Sequence, residues 1–158
     1  MKESFIEAMR HLAYPVSIVS SQLKGAKLAI TVSSVTSVSV SPPSLLVCIH
    51  KESTMAAAIQ IGSLLNISFL NPAQMAIASV CSSKDKVNER FEYTQWSEDA
   101  NKTPYLEESE AVVFCKVANL IEHATHKIII LAVTDVSVYS GDNPNPLLYC
   151  NRDYIQLK

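Results

Sequence analysis

The sequence predicts a mainly β fold with a few helices, of α+β class, whose strands close or nearly close into a barrel. Short apolar or alternating runs recur along almost the whole chain, turn residues separate them, and only three stretches have helical spacing or propensity. With 158 residues, 48% of them hydrophobic, the chain is long enough for one sizeable core and too short for two, so a single domain over residues 1–158 is expected.

The chain opens with Ser4-Phe5-Ile6-Glu7, which has the form of a capping box. Phe5, Met9 and Leu12 recur at helical spacing, so the first helix should run through Ala13 and stop at Pro15. Val16 to Ser20 and Lys27 to Ser33 read as strands joined by a turn at Lys24-Gly25, followed by a strand or bulged segment from Val35 to Val40. Leu45 to Ile49 is a continuous apolar run, as in a strand buried on both faces. Met55-Ala56-Ala57-Ala58-Ile59 is rich in helix formers, so a helix is expected from Thr54 to Ile61 with Ser53 or Thr54 as N-cap. Leu65 to Leu70 reads as a strand, and Ala73 to about Val80 as a helix with Pro72 in its first turn. Ser82 to Glu110 is charged, irregular and too long for an idle connection. Ala111 to Val117, Lys127 to Val138 and Leu147 to Gln156 then complete the sheet.

The densest chemistry lies between Ala29 and Pro43. Thr31, Ser33, Ser34, Thr36, Ser37, Ser39 and Ser41 alternate roughly with Ile30, Val32, Val35, Val38 and Val40, so an extended chain sends valines to one face and hydroxyls to the other. An exposed hydroxyl face would be only a polar sheet surface. A hydroxyl face lining a cleft would offer small donors beside free backbone amides, suited to a phosphate and a flat heterocycle. The strand ending at His50 runs into the helix capped by Ser53 or Thr54 with Lys51 nearby, a junction that suits a phosphoryl group and is equally explained by ordinary capping.

Composition narrows the partners. With 13 basic and 15 acidic residues and no Lys/Arg cluster, neither nucleic acid nor an anionic membrane is expected. No run approaches the roughly 18 apolar residues of a membrane helix, and the N-terminus reads as an amphipathic helix rather than a signal peptide, so the expected location is the cytoplasm. Cys48, Cys81, Cys115 and Cys150 lie far apart without a C-x-x-C pair and read as small hydrophobes. His123 and His126 form an H-x-x-H pair, but no third ligand has a motif around it, and no metal is expected.

One family shares this order of features. Phe5, Ala8-Met9, Pro15 to Val19, the T-V-S-S-V-T-S-V-S-V-S-P-P run from Thr31, L-L-V-C-I from Leu45, Ser53, Asn66-Ile67, Arg90-Phe91, Trp96, His126, and Pro146 to Tyr149 with Arg152 and Tyr154 resemble the flavin-reductase-like, FMN-binding split-barrel family. These are small NAD(P)H:flavin oxidoreductases that serve as reductase components of two-component monooxygenases. The resemblance spans about Phe5 to Leu157 and implies a split β-barrel, FMN or FAD as flavin, NADH or NADPH as hydride donor, a homodimer and a partner monooxygenase. It implies that Thr31, Val32, Ser33, Ser34 and Val35 run along the isoalloxazine edge. Ser37, Val38 and the turn from Glu52 to Ala58, with Ser53 and Thr54, would hold ribityl and phosphate. Lys84, Asp85 and Arg90-Phe91 would lie on a loop near the flavin, although Phe91 and Trp96 equally fit a surface loop pinned to the barrel. His126, Arg152 and Tyr154 would lie on the nicotinamide side, with a strand-edge surface histidine as the other reading of His126. In this chemistry the cofactors supply the reactivity, which accounts for the lack of a nucleophile, carboxylate dyad or metal motif.

The chain departs from the family where glycines are usual. Ala29-Ile30 precedes Thr31, Ala124-Thr125 stands where Gly-Asp precedes the histidine, and Leu131 replaces a further glycine. These changes remove positive-φ freedom and an orienting carboxylate for the imidazole, so the loop holding His126 is expected to differ in shape and reductase turnover to weaken. An FMN-binding carrier or storage protein is therefore the second reading. A split-barrel interaction module without cofactor is the third.

Overall fold

In the computed structural model, which describes residues 1–157, helix α1 (Lys2–Arg10) leads into β1 (Tyr14–Pro15), β2 (Ser17–Leu23), β3 (Ala26–Val32), β4 (Thr36–Val40) and β5 (Pro43–His50). Then come α2 (Thr54–Ala58), β6 (Leu64–Phe69), a 3₁₀ turn and α3 (Met75–Ser82). A second 3₁₀ turn, β7 (Ser97–Glu98) and β8 (Pro104–Tyr105) precede the long hairpin β9 (Ala111–His123) and β10 (His126–Val138), and β11 (Leu148–Cys150) and β12 (Asp153–Ile155) follow it. Seven strands form one antiparallel sheet in the order β3-β2-β6-β9-β10-β5-β4. Its edge strands β3 and β4 do not pair with each other, so the barrel is split. Among the described residues no helix is long and apolar enough to cross a membrane.

Two cores flank this sheet. Val19, Leu45, Val47, Leu65, Ile67 and Ile129 pack inside the barrel, and Ile18, Leu70, Ile77, Ala78, Leu106 and Leu147 form an outer layer beneath α3. Strand β2 serves both, with Ile18 in one core and Val19 in the other, which is why its first five residues are all buried. Of its buried hydroxyls, Ser20 donates to the Pro104 carbonyl and Ser21 to the Leu64 carbonyl, while Ser17 Oγ has no partner among the described residues.

The elements differ from the sequence reading mostly at their ends. No capping box forms at Ser4, because α1 begins at Lys2 with Met1 as N-cap and Ser4 lies within the helix. The helix stops at Arg10, not Ala13, because Tyr14-Pro15 must be extended to pair with β11. Helix α2 ends at Ala58 rather than Ile61, where Ile59 turns extended and enters the core, and Gly62 takes a φ of +88°. The stretch from Leu147 to Gln156 is a hairpin rather than one strand, turned at Asn151 and Arg152, both at positive φ. The turn at Lys24-Gly25 forms as expected, with φ of +50° and +79°.

Candidate functional site

A cleft of about 660 Å³ opens between β3, the end of β5, the start of α2 and the segment after α3. The alternation of β3 sets its wall. Val32 and Ala29 turn into the two cores, while Thr31 and Ser33 stay half-buried along the cleft. Thr31 Oγ1 donates to the Ala78 carbonyl at 2.6 Å, tying β3 to α3. Ser34 Oγ donates to the Cys48 carbonyl at 2.9 Å and accepts from the Cys48 N–H at 3.1 Å, so one hydroxyl fastens the chain beyond β3 to β5. These two hydroxyls therefore shape the cleft, and Ser33 between them also lines it.

At the far end β5 runs into α2. Ser53 is the N-cap, accepting from the Ala56 N–H at 3.0 Å, and Ser53, Thr54, Glu52 and Met55 border the cleft. Lys127 Nζ donates to the Ala56 carbonyl at 2.7 Å. His50 and His126 are cross-strand partners on β5 and β10, and their rings meet edge to face with centroids 5.1 Å apart. His50 Nδ1 accepts from the Glu52 N–H at 3.3 Å. His123 pairs with His126 on the other side of the ladder, so the H-x-x-H spacing reflects a tight hairpin. Among the described residues no group of three or more His, Cys, Asp or Glu side chains is arranged to hold a metal ion.

The hairpin turn bears on the loss of Gly-Asp. Ala124 occupies the left-handed region at φ +46°, a conformation costing a non-glycine residue about 1–2 kcal/mol. The β9–β10 ladder pins both ends of the turn and holds it there. Thr125 Oγ1 and His126 Nδ1 share a hydrogen bond of 2.9 Å, so threonine supplies the orienting contact that an aspartate would have given the imidazole.

The other wall comes from the segment after α3. Arg90 is 91% buried; its Nη1 donates to the Ala29 carbonyl at 2.6 Å and its Nη2 to the Ser83 carbonyl at 2.8 Å. Its own carbonyl accepts from Trp96 Nε1 at 3.0 Å, and Trp96 packs on Phe91 with centroids 4.8 Å apart. This is the aromatic pinning read from the sequence, and both Arg90 and Phe91 also line the cleft. Lys27 lines it too, but its ammonium is 2.6 Å from Glu98, whose carboxyl it holds below the usual range.

Ten of the residues named individually from the sequence meet in this cleft: Thr31, Val32, Ser33, Ser34, Ser53, Thr54, Lys84, Arg90, Phe91 and His126. Six do not, among them Asp85, which is exposed beside Lys84. Val35 packs against the barrel core, and Ser37 and Val38 lie exposed on edge strand β4, carried off the cleft where the chain crosses from β3 to β4. Arg152 borders a separate hollow beside α1, and Tyr154 packs on Tyr149 next to it. Sequence reading had no signal for Cys81 as a lining residue and took Cys48 for a core residue of a strand buried on both faces. His50 was legible as one, because it follows Cys48 by two residues on the face opposite Val47 and Ile49.

The profile of the family described as "Flavin reductase like domain" matches residues 9–158. An FMN reductase (NADH) RutF of Ancylobacter novellus is 29% identical over 153 residues, covering 97% of this chain and 83% of that protein. Among solved structures, flavin reductase HpaC complexed with NADP+ superposes with a TM-score of 0.86 at 27% identity, over 99% of this chain and 98% of that one. Flavin reductase PheA2 superposes with a TM-score of 0.87 at 25% identity, over 100% and 99%.

Proposed function

The chain belongs to the flavin reductase like family, and from that membership we propose that it is an NAD(P)H-dependent flavin reductase. It binds FMN or FAD in the cleft described above and passes hydride from nicotinamide to flavin. The observation that carries this reading is the cleft itself, whose 660 Å³ lies within the range of cofactor sites and which holds an orphaned polar atom, Arg90 Nε. A buried cation in the wall that no carboxylate of the described residues matches fits a ligand that carries or gains negative charge.

When bound, the flavin supplies the hydride acceptor, and the residues bind and orient. Thr31 and Ser34, tied to Ala78 and Cys48, fix the wall that Ser33 shares; Ser53 and Thr54 border the end assigned to phosphate. His126, set by Thr125 and backed by His50, sits at the rim on the side assigned to nicotinamide. Its task is orientation, since hydride transfer asks no proton of it. His126→Ala should therefore raise the apparent KM for NADH by roughly 5- to 30-fold, about 1–2 kcal/mol, while flavin affinity stays within twofold. Steady-state kinetics paired with flavin titration check this, and a loss confined to flavin binding would place the histidine on the wrong side of the ring.

The reading extends to a homodimer that hands reduced flavin to a partner monooxygenase. Edge strand β4 exposes Val38 and Val40, the latter by 91%, and β10 exposes Val136 and Val138, surface that a second copy would cover. Dilution to monomer should then weaken flavin binding. Sedimentation of a monomer that keeps full flavin affinity would count against that arrangement. All four cysteines are free thiols, in keeping with a reducing cytoplasm. The direct test is NADH or NADPH oxidation with added FMN or FAD. Turnover supports the reductase, whereas tight flavin binding without turnover favours the carrier.

A further inference from the structure

Among the described residues, Arg90 is the cleft's buried cation without an ion-pair partner; Lys84 lines the cleft unpaired as well, but lies exposed to solvent. A guanidinium carries five N–H donors, and here two nitrogens each reach one main-chain carbonyl while Nε has no partner at all. Among the described residues no carboxylate lies within ion-pair distance of it, whereas the cleft's Lys27 is matched by Glu98, and Lys51 beside it by Glu122. The nearby Cys81 thiol is pushed up to about 12 by burial, so it stays neutral and supplies no counter-ion. Burying a cation without an anion is costly and persists only where the surroundings hold it. Here the Trp96–Phe91 contact and two carbonyls do so, on the β3 wall of the cleft, while Ser53 stands at the junction of β5 and α2.

Taking the flavin reductase reading as its premise, we propose that Arg90 is the built-in counter-charge for the reduced flavin ring, raising the midpoint potential of the bound cofactor. Hydride from the dihydronicotinamide carries two electrons and one proton. The nicotinamide is oxidised and gains a positive charge, and the flavin ring is reduced at N5 and gains a negative one. A fixed, desolvated cation in the wall favours the reduced ring over the neutral oxidised ring, in a setting where charge interactions are little screened. Arg90 reaches Ala29 on β3 from the segment after α3, whereas Ser53 and Thr54 stand where β5 runs into α2; with that junction taken as the phosphate end, the guanidinium falls to the ring.

The test compares binding of oxidised and chemically reduced FMN and riboflavin to wild type, Arg90→Gln and Arg90→Lys, with potentials measured on the bound flavin. Arg90→Gln should lower the ratio of reduced to oxidised affinity at least tenfold, a fall of about 30 mV for a two-electron couple. Riboflavin should show the same fall as FMN, and Arg90→Lys should keep most of the wild-type ratio. An unchanged ratio would overturn the proposal, and so would a loss seen with FMN but absent with riboflavin, which puts the guanidinium on the phosphate. Wild type alone gives a second readout that needs no folded variant. If the reduced ring stays anionic, the potential falls by about 30 mV per pH unit between pH 6 and 8, whereas a slope twice as steep means the ring protonates and the counter-charge is absent. Failure of wild type to bind either flavin would instead remove the reductase reading on which the proposal stands.

Discussion

Ser33→Glu is expected to weaken FMN binding by roughly 30- to 1000-fold while the protein stays folded. Ser33 lies half-buried on the cleft wall between Thr31 and Ser34, whose hydroxyls already serve the main chain. Glutamate there brings a longer side chain and a negative charge into space that an anionic ligand must enter. Two unit charges 4–8 Å apart repel by ~2–4 kcal/mol at an effective dielectric near 20, which gives the range stated. Because the site is only partly buried, the new side chain can lean toward solvent in the ligand-free protein, so the melting temperature should move by no more than about 2 °C. Ser33→Ala, which removes only a hydroxyl, should cost less than about 1.5 kcal/mol of flavin affinity. Fluorescence titrations with FMN and riboflavin decide the matter. An unaltered FMN affinity in folded Ser33→Glu would remove this stretch of β3 from the binding surface.

Much of the fold was legible because alternation and turn chemistry act locally. The Lys24-Gly25 turn and the Ser53 cap follow from residue types alone, whereas β5, read as buried on both faces, buries only Leu45, Val47 and Ile49 and turns Cys48 and His50 to the cleft. Strand β9 was read to Val117 and runs to His123, because alternation lapses where a bulge leaves Ala118 unpaired and the ladder passes beyond the body of the barrel into solvent. Only its partner β10 keeps that half extended. The turn at Ala124 was illegible for a different reason. Alanine gives no signal for positive φ, and only thirteen-residue strands on both sides impose it. The two strands hold the turn at positive φ without the glycine, and Thr125 bonds the imidazole there.

The cleft itself was only half legible. Alternation told which β3 and β5 side chains leave the core, yet it carried the same pattern through Ser37 and Val38, where the chain has already crossed to the far edge of the sheet. Periodicity records facing, and facing says nothing about which side of a split barrel holds the opening. Arg90 was placed near the flavin only by the family resemblance, together with Lys84, Asp85 and Phe91. Its burial against Ala29, 61 residues away, is a tertiary fact with no local trace.

Asn66 shows how the irregular segment is held to the barrel, and Asn66→Ala is expected to lower stability by about 3 kcal/mol. Its side chain is 1% exposed within β6, and Nδ2 donates to Asp99 Oδ2 at 3.0 Å and the Thr103 carbonyl at 3.1 Å, with the Pro104 carbonyl at 3.4 Å. Asp99 in turn accepts from the N–H groups of Asn101 and Thr103, so this amide, with Ser20 on the Pro104 carbonyl, anchors the loop that brings Glu98 to Lys27 at the cleft. A hydrogen bond to a charged group contributes about 1.5–3 kcal/mol, and truncation also leaves buried carbonyls short of a donor. For a chain of this size the melting temperature should fall by roughly 6–12 °C. Asn66→Asp is the sharper test, since it sets two carboxylates against each other. The repulsion raises their folded-state pKa above the unfolded value, so the variant should be least stable at neutral pH and recover as pH falls, when one carboxyl takes a proton and can donate to the other. Thermal melts from pH 4 to 8 on both variants read this directly. If Asn66→Asp melts at wild-type temperature at pH 8, the contact to Asp99 does not hold the loop.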